Sequence, residues 1–257
     1  MIMKKEGQYA YCIIGARQER NFGPIGINGR EVLTIGYDDL TMVVSSHPLT
    51  RIKATGDNML AHTRVIEEVM KEFDGVLPVR FGTIAASADE VRNLLDRRRG
   101  EFRIALRDLD HKVELGVKGA WTDMDGIFKE IVKDNAGIRK MKEKLQNDAG
   151  AKNIQKKNET GKLVEAALQK KKTDEAEEIV ERLRRTSVSY KLNKTSGDNM
   201  FINAAFLVDK GREKEFDNIM CDLSEEFKKR VKFLYAGPLP VFNFVNIVIY
   251  PEEWEKN

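Results

Sequence analysis

The sequence has few of the residues on which disulfide-rich, zinc-dependent and membrane-spanning proteins depend. Its two cysteines, Cys12 and Cys221, lie outside any CxxC spacing, which excludes a disulfide framework and favours two buried, reduced thiols. No two of the three histidines share a helix face at i, i+4, and HExxH is absent, so no zinc site is expected. The best apolar run, Val241–Tyr250, is interrupted by two asparagines and is shorter than the roughly 18 residues of a membrane helix.

Motifs of common enzymes and of export are also missing. The sequence has no GxSxG and no P-loop, and Gly23–Gly26 lacks the strand and helix that would make it a nucleotide loop. Lys4 and Lys5 precede the apolar run Tyr9–Ala16, but that run is too short and too strand-like for a signal peptide. We therefore expect a soluble, cytoplasmic and reduced protein.

Length and composition indicate a folded chain of one large or two ordinary domains. The 257 residues are 41% hydrophobic, which is enough to bury a core, and 33% charged, which favours long solvated helices. The formal net charge is only +3, too small to indicate a nucleic-acid-binding protein by itself.

The first part of the chain, residues 1–110, predicts an α+β domain. Tyr9–Ile14 is typical of a buried strand, and Glu31–Tyr37 with Leu40–Ser46 predicts a hairpin turning at two aspartates. A helix is expected from Asp57, and Ser87 is expected to cap a second one.

The remainder, residues 111–257, predicts a second α+β domain. His111–Trp121 alternates as a half-exposed strand, with Glu114 on the exposed face. Residues 123–186 predict a helical arm, partly an antiparallel hairpin. After the arm come a strand, a helix, a strand, a rigid turn over Gly237–Pro240 and a last strand over Phe244–Tyr250. This order is compatible with a ferredoxin-like sheet carrying a long helical insertion.

The helical arm is the most basic part of the chain. Residues 135–185 hold 14 Lys or Arg against 9 Asp or Glu. A solvated face with i, i+4 ion pairs is the simplest interpretation, ahead of protein binding, and nucleic-acid binding is the least favoured.

Arg80 is the most unusual charged residue, because it stands between Val79 and Phe81 in an apolar segment. It is interpreted as an exposed edge residue, as a paired and partly buried guanidinium, or as a ligand or partner contact, and the structural pair is favoured. An alternative function follows from it: a small-molecule enzyme or sensor with a pocket near His62, Arg80 and Glu114.

Five segments in order, among them Tyr9–Ile14, His62–Glu67 with Val76–Thr83, and Tyr235–Phe244, resemble the GvpF/GvpL family of gas vesicle accessory proteins. The central one, which includes Pro78, Arg80, Phe81, Gly82 and Thr83, resembles the family signature together with the preceding His62–Glu67. The other resembling segments are Tyr9–Ile14, Lys112–Lys118 (with Glu114, Gly116 and Lys118), Gly161–Glu165 and Tyr235–Phe244 (with Gly237, Pro238 and Phe244). Val241 and Phe242 depart from the family, which usually has Pro and Tyr there.

The resemblance implies a non-enzymatic role at the gas vesicle, without cofactor, metal or catalytic residues. It implies a minor shell component or assembly factor that binds GvpA, the small hydrophobic protein of the vesicle wall, and possibly other accessory proteins, rather than nucleic acid or a membrane. It also implies two domains, the second ferredoxin-like. The motif residues fit structural roles: Gly82 permits positive φ, Pro78 and Pro238 fix turns, and Phe81 and Phe244 belong to a core.

Overall fold

The structure, a computed structural model, describes residues 5–147, 153–245 and 249. The described residues form two compact units. The first consists of those within Met1–Glu114, Asp209–Gly211 and Pro238–Asn257, and the second of those within Leu115–Val208 and Arg212–Gly237. The sequence predicted a change of domain after residue 110, near the end of the first segment, but assigned the returning segments to the second domain.

The first unit is built on an antiparallel sheet. Its strands follow the spatial order β2-β3-β4-β1-β5, and β6 also pairs with β1. The strands are β1 Glu6–Ile14, β2 Asn21–Gly23, β3 Val32–Tyr37, β4 Leu40–Pro48, β5 Val76–Pro78 and β6 Ile84–Ala85. The hairpin predicted from alternating residues is confirmed, with Val32 opposite Ser45 and Tyr37 opposite Leu40.

Three helices belong to this unit: α1 Gly56–Met70, α2 Ala88–Arg97 and α3 Arg99–Leu109. Thr55 caps α1 by accepting from the Asn58 amide. Ser87 caps α2 by accepting from the Glu90 amide, and this second cap was predicted. The buried face of α1, with Val65, Ile66 and Val69, joins the core cluster under β1. Apolar spacing of three and four residues therefore places one face of α1, which includes His62, against the sheet.

The second unit carries a four-stranded sheet in the order β10-β7-β9-β8. Its elements are β7 Lys112–Trp121, α4 Met124–Asp134, α5 Ala136–Asn147, α6 Asn153–Leu183, β8 Ser189–Leu192, β9 Met200–Asp209, α7 Glu213–Glu226 and β10 Val231–Leu239. One end of β7, of β9 and of β10 is counted with the first unit. The predicted arm is thus three helices, with α5 and α4 packed on α6 and α6 packed on α7.

An ion-pair network holds α4 and α6 to the end of β7. Arg230 donates to both oxygens of Glu130, at 2.7 and 2.9 Å, and to Glu175 at 2.7 Å. Trp121 donates its indole N–H to Glu175, and Lys171 lies 3.0 Å from Glu130. These contacts hold the pKa of the Glu130 carboxyl at about 2, chiefly through Arg230.

Of two predictions near the C-terminus, the turn is wrong in part, and the last strand lies mostly outside the described residues. Residues 237–239 do not form a turn, because they continue β10 to Leu239. A proline is tolerated there because β10 is an edge strand, where a missing N–H leaves no ladder bond unmade. In the predicted strand Phe244–Tyr250, Phe244 lies in a turn, and apart from Val245 and Ile249 the remainder falls outside the described residues.

Candidate functional site

A turn at the end of β5 carries the central motif and is fixed to β1. The Val79 amide donates to the Tyr11 carbonyl at 2.8 Å, and the Ala10 amide donates to the Thr83 carbonyl at 3.0 Å. Thr83 closes the turn by donating from its amide and its hydroxyl to the Arg80 carbonyl. Gly82 has φ +88°, a conformation that side chains other than glycine adopt only with strain.

His62 on α1 completes the attachment of this turn. Its Nε2 lies 3.1 Å from the Val79 carbonyl, which only accepts, so Nε2 carries the proton. Nδ1 is then an acceptor and takes a hydrogen bond from the Tyr9 hydroxyl at 2.8 Å. The same hydroxyl accepts from the Gly82 amide at 3.2 Å. Every polar atom of this chain of contacts therefore has a partner with the correct role.

Aromatic rings enclose His62. Tyr11 stacks on it at 5.5 Å between centroids, and Phe81 meets it edge-on at 5.6 Å. Phe242, from the segment after β10, lies over it at 6.1 Å. Burial lowers the pKa of His62 to about 4 and raises that of Tyr9, so the cluster is neutral at pH 7.

The Arg80 side chain is exposed, so the favoured prediction of a partly buried, paired guanidinium is wrong. The alternation argument placed it opposite Val79 and Phe81, and Val79 is buried, at 1% exposure. The guanidinium extends from a turn that is fixed by backbone bonds, which leaves the exposed-edge and partner-contact interpretations open.

Glu114 is buried, at 4% exposure, and the prediction that it lies on a solvated strand face is wrong. Its Oε2 accepts from the Asn243 amide at 2.9 Å, and its Oε1 accepts from the Asn243 side-chain amide at 2.6 Å. The alternation of β7 could not reveal this, because the covering residue comes 129 positions later in the chain. We call residues 240–245 the strap.

A family model described as "Gas vesicle synthesis protein GvpL/GvpF" matches residues 7–246, nearly the whole chain. The chain belongs to this family. Curated relatives agree with the assignment: gas vesicle protein F1 of Halobacterium salinarum is 27% identical over 96% of this chain and 97% of its own length. Gas vesicle protein F of a Streptomyces species is 29% identical over 87% of this chain and 91% of its own length.

Two crystal structures have a similar fold. GvpF from Anabaena sp. PCC7120 superposes with a TM-score of 0.82 at 20% identity, over 95% of this chain and 100% of that one. GvpF from Microcystis aeruginosa superposes with a TM-score of 0.78 at 20% identity, over 94% of this chain and 99% of that one. The mixed α/β fold with two antiparallel sheets is therefore the fold of GvpF proteins.

The other GvpL/GvpF motif residues lie in or next to strands β7 and β10. Gly116 is half-buried and Lys118 exposed on β7, whereas Gly237 and Pro238 are exposed on the edge strand β10. Phe244 is half-buried in the strap, not fully in a core. The contact between Tyr9 and His62 was not predicted, because the two residues stand 53 positions apart and no spacing in the sequence relates them.

None of the three residues of the alternative pocket, His62, Arg80 and Glu114, lines the pocket that the structure shows beside α1. His62 is enclosed by rings, Arg80 is exposed and Glu114 binds Asn243. A pocket of about 630 Å³ lies instead between the loop after β2 and α1, lined among others by Gly26, Asp57 and Arg64.

Neither a metal cluster nor a spanning helix is found in the described ranges 5–147, 153–245 and 249. No group of three or more histidine, cysteine, aspartate or glutamate side chains there is placed to hold a metal ion. No helix within the same ranges is long and apolar enough to cross a membrane. Cys12 is buried, as expected, whereas Cys221 is exposed on α7.

Proposed function

We propose that this GvpL/GvpF-family protein is a non-enzymatic assembly factor or minor component of the gas vesicle shell that binds GvpA. The observation that carries the proposal is the family match over residues 7–246, which supports a gas vesicle role. The fit of the fold to GvpF crystal structures adds support. We place the protein in the cytoplasm, at the vesicle, with other accessory proteins as further partners.

The mechanism we propose is temporary cover for an apolar subunit. A shell protein must remain dispersed until it joins the growing wall, and an exposed apolar surface or strand edge on an accessory protein can shield it. The edge strand β8 offers both features: Tyr190 and Leu192 are 39% and 60% exposed, and Val188 just before the strand is 53% exposed. On the arm, Leu163 is 43% exposed.

We also propose that the second unit is a ferredoxin-like domain. Numbered within the unit, its strand order β10-β7-β9-β8 is fourth, first, third, second, with helices between the first and second strands and between the third and fourth. The long arm α4–α6 takes the place of the first helix.

Co-expression of this chain with GvpA, followed by a pulldown on a tag, tests the proposal. Retention of dispersed GvpA at physiological and at high salt is the result expected for an apolar interface. Retention that is lost at high salt would assign the contact to the charged arm. Absence of GvpA from the pulldown at both salts would contradict direct binding.

Two variants then locate the surface. Replacing Tyr190 and Leu192 by lysine adds charge to the exposed side chains of β8, and deleting residues 135–185 removes most of the arm. As a matched control, the exposed Leu234 of the opposite edge strand β10 is replaced by lysine. Loss of GvpA with the first variant, and not with the control, is the outcome expected for a β8 interface.

A further inference from the structure

The strap covers the aromatic cluster of the first unit but is not part of its sheet. Its bonds between backbone groups are local: the Phe242 amide donates to the Pro240 carbonyl, and the Phe244 and Val245 amides both donate to the Val241 carbonyl. Val241 is buried at 4% exposure, and Phe242 lies over His62 while remaining 40% exposed. A turn of this kind can lift away without breaking a strand pair.

Asn243 fastens the strap to Glu114 of β7. Asn243 gives both its backbone N–H and its side-chain amide to the two oxygens of Glu114. A buried carboxylate is costly when it loses hydrogen-bond donors, because its charge is poorly solvated. The closed state therefore favours a side chain at position 243 that can donate, such as the amide of asparagine. Changing this one residue removes the side-chain bond and leaves the local turn intact.

The segment before the strap can act as a hinge. Gly237 and Pro238 are exposed at the end of the edge strand β10, where displacement of the chain disturbs few contacts. The strap also shows which side chains the surface beneath it binds: an apolar residue (Val241), an aromatic ring (Phe242) and an amide donor (Asn243) in succession. An extended apolar segment of another protein that carries an amide at the corresponding place presents the same chemistry.

We infer that the strap is a latch, closed by Glu114 and Asn243, and that its opening exposes the surface around His62 and Phe81 to an apolar segment of GvpA. The regulatory part of this inference rests on the proposed binding of GvpA. In the closed state the strap occupies the surface itself, and so limits how much GvpA the first unit holds.

The test uses the full chain with Asn243→Asp, which keeps the shape of the side chain but sets a second carboxylate against Glu114. We expect hydrogen exchange of the residue 243 amide, which donates to Glu114 in the wild type, to rise about tenfold or more. The double variant E114Q/N243D restores an amide–carboxylate pair and should return exchange to within about threefold of the wild type. Asn203→Asp is the matched control, since Asn203 also donates its side-chain amide, to the Lys194 carbonyl of the second unit.

Capture of co-expressed GvpA is measured on the same proteins. More GvpA on N243D than on the wild type, reversed in E114Q/N243D, supports the latch as a regulator. Unchanged exchange in N243D would overturn the latch itself. Raised exchange with unchanged capture would overturn only its regulatory role, and absence of GvpA from every variant, the wild type included, would count against the proposed function instead.

Discussion

His62 ties three distant parts of the first unit together, and it does so only in its neutral form. The Val79 carbonyl needs a proton on Nε2, and the Tyr9 hydroxyl needs a lone pair on Nδ1. A second ring proton would place two donors face to face and would bury a charge among Tyr11, Phe81 and Phe242. The depressed pKa is thus the consequence of a structural role.

This role predicts a pH dependence of stability. The folded pKa of His62 is about 4, below its ordinary value of 6.5, so between these values the unfolded chain binds more protons. Stability from His62 is complete above pH 6.5 and falls as the pH drops toward 4, by about 2 kcal/mol between pH 7 and pH 5. Urea unfolding at both pH values, for the wild type and for His62→Gln, measures this difference.

The glutamine variant is expected to be less stable at pH 7 but to lose less stability on acidification, because its side chain does not titrate. Equal losses for the two proteins would show that other groups cause the acid sensitivity. All other residues are the same in both proteins, so the comparison isolates the contribution of His62.

At the scale of elements, a forked ion pair adds to the apolar packing that positions the helical arm. Arg230 precedes β10, Glu130 lies on α4 and Glu175 on α6, so one guanidinium joins three elements. A planar fork can serve two carboxylates together, whereas a lysine ammonium offers a point charge. The surrounding side chains are partly solvated, which reduces the free energy of the network.

We therefore predict that Arg230→Lys loosens the arm while preserving charge. The expected loss is about 1 kcal/mol, equivalent to about 2–4 °C in Tm, with faster hydrogen exchange in α6 around Glu175. Acid should weaken the same network. Because the folded pKa of Glu130 is about 2, its contribution to the free energy of unfolding is present above pH 4.5 and is lost as the pH falls toward 2. That acid loss should be smaller in the variant.

Arg182→Lys is the control for this prediction, because Arg182 makes an exposed contact of one nitrogen with Glu226 on α7. It is expected to change Tm little. A Tm loss in the control as large as that in Arg230→Lys would mean that general surface charge, not the fork, sets the position of the arm.

Elements that depend on local sequence spacing were predicted, whereas those that depend on distant partners were not. The β3–β4 hairpin, the start of α2 and the helical character of residues 123–186 depend on local spacing and were predicted, whereas the bounds of the separate arm helices were not. Glu114 and residues 237–239 were misassigned because their environments are set by partners far away: Asn243 buries the carboxylate, and an edge position accommodates Pro238 in a strand. The pairing of Tyr9 with His62 leaves no periodic signal in the sequence.

At the scale of the whole molecule, the chain leaves the first unit after Glu114, contributes Asp209–Gly211 to it again, and returns to it from Pro238. The returning segment brings Val241 into a buried position and closes the Glu114 contact. Its energetic effect should therefore fall on a region more than 100 residues earlier in the chain and not on the helices that directly precede it. If the chain is divided instead into residues 1–110 and 111–257, as the sequence predicted, the strap belongs to the second domain and its effect on stability is expected there.

A chain ending at Leu239 separates these two expectations. It keeps β10 complete but removes the strap, so we predict faster hydrogen exchange around His62 in α1 and around Glu114 in β7, by about tenfold or more. Exchange in α6 and α7 should stay near that of the full chain. A chain ending at Val245 retains Val241, Phe242 and Asn243 and serves as the control, with the protection at His62 preserved. Equal loss of protection in α7 and α1 would contradict the assignment of the strap to the first unit, since α7 belongs to the second.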